Sequence, residues 1–243
     1  RWDINGWSLR AAGEAAILIG HTNRATTYNS RDAQTVAQLG ATGLLSLSTP
    51  ENTFTARLRS GYASGDANPD NGIAGEFGFD RDFSAGMVLF DQLNGGIEAA
   101  TYNQLSDPEN AGQPPDGADA LVTEGAFRRA TFLQPALEMK PIEWMSARLG
   151  TTVAWATAPV SQPFYTYRAG GSPRNHLNAP STGRHLGTEL HWSVTFDTLG
   201  ERVNKRTQIE VQVGHLFVGE SMKAGGGVDS LAPLDGGGGG ATA

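Results

Sequence analysis

The sequence predicts an all-β protein: a transmembrane antiparallel up-and-down β-barrel, or a large section of one. Three observations predict it. Seven segments alternate apolar and polar residues over about ten residues or more, which crosses a bilayer at a tilt and exceeds the ordinary soluble strand. The connections between them alternate short and long, as periplasmic turns and external loops do. The polar faces hold Ser, Thr, Gln and Gly with scattered Arg and Glu and almost no Lys, unlike the wetted face of a soluble antiparallel sheet.

The segments follow in order. "WSLRAAGEAAILI" (7–19) sends Trp7, Leu9, Ala11, Ile17 and Ile19 to one face, and Ser8, Arg10, Ala12 and Glu14 to the other. "QLGATGLLSLS" (38–48) sets Leu39, Ala41, Leu45 and Leu47 against Gln38, Thr42, Ser46 and Ser48. "TFTARLRSGY" (53–62) sets Phe54, Ala56, Leu58 and Tyr62 against Thr55, Arg57 and Arg59. "RATFLQPALEM" (129–139) alternates less cleanly. Its Pro135 cannot donate to a ladder, so a bulge or an unpaired position is expected there. "SARLGTTVAW" (146–155) sets Ala147, Leu149, Val153 and Trp155 against Ser146, Arg148, Gly150 and Thr152. "LGTELHWSVTFD" (186–197) sets Leu186, Leu190, Trp192, Val194 and Phe196 against Glu189, His191, Ser193, Thr195 and Asp197. "TQIEVQVGHLF" (207–217) sets Ile209, Val211, Val213 and Phe217 against Gln208, Glu210 and Gln212. An eighth strand fits within "GEFGFDRDFSAGMVLF" (75–90).

The short connections are 49–52, 140–143 and 197–206; the long ones are 21–32, 65–127 and 158–185. Trp7, Phe54, Tyr62, Trp155, Trp192 and Phe217 stand near strand ends, where aromatic girdles of a lipid-facing band belong. Residues 1–222 therefore read as a barrel section with long external loops at 65–127 and 158–185, and 223–243 as a Gly-rich flexible segment.

Composition narrows the function. The 243 residues carry a net charge of −7, which argues against nucleic-acid binding. There is no Cys, hence no disulfide or thiolate site, and no apolar run long enough for a membrane helix. The chain starts at Arg1 without an initiator Met or a leader, as a mature, trimmed or partial chain does.

The stretch "RLRSGYASGDANPDNG" (57–72) places Asp66, Asn68 and Asp70 at alternate positions, like the first half of a calcium loop. Counting from Asp66, the sixth residue is Asn71 rather than Gly and the twelfth is Phe77 rather than Glu. Turn formers that end a strand explain the stretch better. An external calcium site at Asp66, Asn68 and Asp70, with Asp80 or Asp82, is the alternative; no other cofactor is implied. The five His form no H-x-x-x-H pair, and His191 reads as a polar residue beside Glu189. Ser64 sits in G-x-x-S-G and not in a nucleophile elbow. No carboxylate pair stands out for glycoside hydrolysis, and the terminal Gly run lacks the Lys-Ser/Thr of a phosphate loop, so an enzyme is not expected.

"RLRSGYASGDANPDNG…FGFDRDFSAGMVLFDQL", "FLQPALEMKPIEWMSARLG", "LGTELHWSVTFD" and "VQVGHLFVGESM" resemble the alginate-export family of bacterial outer-membrane proteins over most of residues 36–222. The resemblance implies a single-chain barrel of more than seven strands. The family's founding member exports an anionic polysaccharide through an Arg-rich lumen. The matching basic positions are Arg57, Arg59 and Arg148, with Arg10 on the first strand; Glu14, Glu138, Glu189 and Glu210 lie among them, a mixture that argues against a dedicated polyanion route.

Bacterial single-chain barrels have even strand numbers, so seven strands ending outside read as a section of a longer barrel. The expected work is passive or facilitated passage of small polar or anionic solutes across a bacterial outer membrane, with export of an anionic saccharide as one form of it. A non-conducting barrel that docks a protein partner through its external loops is the alternative, and a soluble periplasmic carbohydrate-binding sandwich a third. Three expectations follow for the structure. Leu45, Leu47, Leu58, Leu149, Val153, Leu190, Val194 and Val211 should face away from any core, toward lipid. The 66–126 loop should fold partly over or into the pore on Phe77, Phe79, Phe83, Met87, Val88 and Phe90, at the same end as 158–185 and opposite the turns at 49–52 and 140–143. Arg57, Arg59 and Arg148 should share the lumen face, with Glu138 and Glu189 as neighbours.

Overall fold

In the computed structural model the described residues are 2–23, 33–86, 88–112, 125–181, 183–199 and 206–224. Met87 and nearly all of the Gly-rich segment lie outside them, as do parts of the first and second long connections and the 200–205 turn. All seven expected strands form: β2 (Trp7–Thr22), β3 (Gln34–Ser48), β4 (Phe54–Ala63), β6 (Ala130–Ile142), β7 (Met145–Ala156), β8 (His185–Leu199) and β9 (Arg206–Val218). Two short strands join them, β1 (Trp2–Ile4) and β5 (Ile73–Ala74). Neighbours pair in the order β1-β2-β3-β4-β6-β7-β8-β9, each antiparallel, while β5 lies parallel to the start of β3. No pairing joins β1 or β2 to β9, so the sheet is open.

Because consecutive strands are antiparallel neighbours, their connections fall alternately at the two ends of the sheet. The turns at 5–6, 49–53 and 143–144 are at one end, and Thr22, Ala63 and Ala156, the strand ends that open the long connections, are at the other. Asn5 and Gly6 both take positive φ (50° and 81°), which suits a two-residue hairpin and explains β1. The expected 140–143 turn is tighter, because β6 continues to Ile142.

The faces follow the sequence parity. Leu45, Leu47, Leu58, Leu149, Leu190 and Val211 are exposed, and Val153 and Val194 half-buried; none of the eight enters a core. Leu186 departs from its expected side. A register shift between Ala154 and Trp155, opposite His185, turns Leu186 onto the other face, where it is buried. Pro135 lies exposed, and the β6–β7 ladder omits Gln134 and Pro135 without changing register. The irregularity instead falls between Met139 and Ile142.

The eighth strand does not form. Among the described residues of 75–88 the sheet-type pairing is a single isolated bridge, Gly78 to Arg128. The chain then coils through a π turn (Leu89–Leu93) into α1 (Asn94–Leu105). The aromatic residues of this segment do not divide between two faces; they converge on one core. Phe127 is fully buried and touches Phe79, Phe83, Phe90 and Phe132 with ring centroids 4.8–5.7 Å apart. Beneath them the sheet presents Ala63, Ala130, Ala154 and Ala156. At Gly40 a Cβ would overlap the Phe77 ring, so the absent side chain is what admits it.

The packed segment is also held by charge. Glu189 on β8 is fully buried and accepts from the backbone N–H groups of Val88 and Leu89, each at 2.9 Å. It therefore satisfies donors at the start of the helical segment, where a carboxylate also meets the helix dipole favourably. Arg128 pairs with Glu76 and Glu98; Arg129 meets Glu76 at 2.7 Å and the Ser161 carbonyl. Burial pushes the Arg128 guanidinium down, and the two carboxylates outweigh that and hold it above its ordinary value.

Candidate functional site

Below the packed segment, toward the short turns, the same sheet face is polar. Register builds it in rows. Glu138, Arg148, Ser193 and Gln212 stand opposite one another on β6 to β9. Arg57, Ala136, Gly150, His191 and Gly214 form the next row, and Arg59 stands opposite Gln134 in the one beyond. A Cβ at Gly150 would overlap the His191 ring, so this glycine lets the imidazole lie flat on the sheet.

A cavity of about 190 Å³ opens over these rows, with Arg59, Arg148, His191, Glu210 and Gln212 on the sheet side and Asp91 on the packed side. Arg59 is fixed by Gln134 Oε1 (3.1 Å) and the Ser84 carbonyl (2.9 Å), and lies over the Phe83 ring. Neither Arg59 nor Arg148 has a carboxylate within ion-pair distance among the described residues. Arg148 Nε and His191 Nδ1 are buried and have no hydrogen-bond partner among the described residues. Opposite them, burial raises the Asp91 carboxyl above its ordinary value, with a hydrogen bond from Ser84 Oγ (3.0 Å) opposing that and the nearby Glu189 adding to it. The site thus sets two unpaired guanidiniums and an imidazole against a carboxyl across open polar space.

The expected lumen residues divide into four groups. Arg59, Arg148 and His191 come together at this cavity. Arg57 and Glu138 pair with each other at 3.0 Å, as expected of neighbours on this face, which leaves Glu138 engaged by Arg57 and not by Arg148. Glu189 shares their face yet is sealed under the packed segment, so it anchors structure and meets no solute. Arg10 and Glu14 stand exposed on β2, at the edge of the sheet. Asp91, Gln212 and Ser84 are additions to the expected set: Ser84 lies within the expected eighth strand and Asp91 one residue past it, while Gln212 shares the parity of Glu210.

The Asp66–Asp70 stretch folds onto its own backbone. Asp66 accepts from the N–H groups of Asn68 (2.9 Å) and Gly75 (3.1 Å), and Asn68 from that of Asp70 (2.9 Å). Asp80 caps Asp82 in the same way. Among the described residues no three His, Asp or Glu side chains gather as a metal would need.

No protein-family model and no curated protein matches this chain.

Proposed function

We propose that this chain is a β-barrel section in a bacterial outer membrane and that its polar face lines a route for small polar or anionic solutes. The carrying observation is the pair Arg59 and Arg148, which border open space without a carboxylate partner. Unpaired guanidiniums on a wet lumen wall attract anions, and the facing Asp91, with Glu210 beside them on the sheet, suits polar solutes better than a long polyanion.

The bare face supports the membrane setting. Over the seven long strands its described positions carry no Asp, Glu, Lys or Arg, and Ile17, Leu45, Leu58, Leu137, Leu149, Leu190 and Val211 are all exposed. An exposed apolar area this continuous calls for a cover. Phe54 and Tyr62, at the two ends of one strand, are separated by about 20 Å of height at a tilt of about 40°, comparable with a lipid-facing band. The resemblance to alginate-export proteins points the same way, with anionic saccharide as one candidate cargo.

The test is reversal potential in planar bilayers under a salt gradient, for the parent protein and an Arg59→Glu, Arg148→Glu variant. The parent should favour anions, more so at low salt, and the variant should lose or reverse the preference. Unchanged selectivity would remove these arginines from the route. A second reading, a non-conducting barrel that docks a partner through its external loops, is favoured by the aromatic segment packed on the sheet; absence of conductance in both proteins would select it.

A further inference from the structure

A second cavity, of about 170 Å³, lies at the long-connection end of β3. Gln34, Gln38, Asp66 and Arg129 supply its polar wall, and Pro69 and Ile73 its apolar wall. Several of its donors are already used. Arg129 gives its N–H groups to Glu76 and to the Ser161 carbonyl. The Gln34 amide NH₂ donates to the Pro69 carbonyl (3.2 Å) and that of Gln38 to the Ala74 carbonyl (3.3 Å). Its acceptors are in surplus. Gln34 is 2% exposed, yet its Oε1 has no donor among the described residues. Each Asp66 oxygen accepts only one backbone N–H and keeps a lone pair. Charge points the same way: Asp66, Glu76 and Glu98 against Arg128 and Arg129 is three carboxylates to two guanidiniums, one negative charge in excess.

An anion is therefore repelled, and a neutral polyol leaves the excess negative charge uncompensated. A hard metal ion needs about six oxygen ligands, and Pro69 and Ile73 give part of this wall over to hydrocarbon. We propose that the cavity binds a primary ammonium group on a short alkyl chain. Its three N–H donors meet Gln34 Oε1, Gln38 Oε1 and the Asp66 carboxylate, and its methylenes lie on Pro69 and Ile73. The occupant bridges β3 to the 66–76 segment and so fastens that segment to the sheet. Burial raises the Asp66 carboxyl above its ordinary value, in keeping with a carboxylate short of counter-charge. The inference does not depend on conduction.

The experiment is calorimetric titration of the full chain, refolded in detergent, with n-propylammonium chloride, and with n-propanol and potassium chloride as matched controls. Saturable binding of n-propylammonium is expected below about 100 mM, the range that a Kd of millimolar order requires. It should be accompanied by a raised melting temperature and should be absent with both controls. Asp66→Asn should weaken binding about tenfold, the loss of one charged contact. Gln34→Leu should weaken it several-fold, with near-UV circular dichroism reporting that the fold is kept. Should Asp66→Asn not fold, because its oxygens also hold a turn, Gln34→Leu and Gln38→Leu carry the test. No saturable binding, equal binding of n-propanol, full competition by potassium, or parental affinity in the glutamine variants would each overturn the proposal.

Discussion

The two halves of one sheet face are built from the same strands and the same parity, yet they differ in kind. At the long-connection end the inward positions are Gly40, Gly61, Ala63, Ala130, Phe132, Ala154 and Ala156, and an aromatic segment fills the space above them. At the turn end they are Arg57, Glu138, Arg148, Ser193 and Gln212, and the space stays open. Small side chains leave depth for a packed layer, and long polar ones hold it off. The difference teaches that side-chain size along one parity, and not polarity alone, decides where such a sheet is plugged and where it is left wet.

The sharpest way to break that contrast is to empty the packed half. Phe127→Ala removes a fully buried ring with four aromatic neighbours and should cost about 3–5 kcal/mol, read as a lower midpoint in chemical unfolding from detergent. A loss below 1 kcal/mol would mean that this core does not hold the segment. Glu98→Ala strips one carboxylate from Arg128, leaves buried positive charge under-compensated, and should destabilise by about 3 kcal/mol or more. Proteolysis within residues 76–112 is the independent readout, since loosening should begin there.

Glu189→Gln keeps the shape but removes the charge at the start of the helical segment, with an expected loss of about 1–2 kcal/mol and selective loss of amide protection at Val88 and Leu89. In the open half, by contrast, Arg57→Ala breaks only a partly exposed pair and should change stability by no more than about 1 kcal/mol. An equal cost in both halves would erase the distinction drawn between them.

The smallest effect concerns pH. Burial lowers the His176 pKa from its ordinary 6.5, so the folded state binds the proton less readily than the unfolded chain. Its influence is absent well above pH 6.5 and grows as a loss of stability when pH falls below that value. Asp66 and Asp91, with raised pKa values, act in the opposite sense from about pH 4 upward, where unfolding releases protons that the folded state retains. Replacing His176 by Gln should flatten the slope of stability between pH 7 and 5; an unaltered slope would assign it to other groups.

Much of this was legible in the residues themselves. Period-two alternation located all seven long strands within a few residues, because a strand with two different environments must write them at alternate positions. The same parity brought Arg59, Arg148 and His191 to one face. It could not say that Glu138 turns to Arg57 and leaves Arg148 unpartnered, since register between strands is set by turns and by the whole ladder. Nor could it say that Leu186 is turned inward by the irregularity opposite His185. Residues 75–90 do not form the eighth strand for a different reason, although the expected packing of Phe77, Phe79, Phe83 and Phe90 does occur. Their alternating phenylalanines mimic a strand, but they are satisfied by one distant core that Phe127 and Phe132 complete, and the helical segment begins where a carboxylate about a hundred residues away receives the first N–H groups. Local pattern determined the strands, their faces and the polarity of each face, because those depend on neighbours along the chain. Only the tertiary structure decided which charges pair, which part of the face is sealed and where a solute has room, because those depend on residues that meet from far apart.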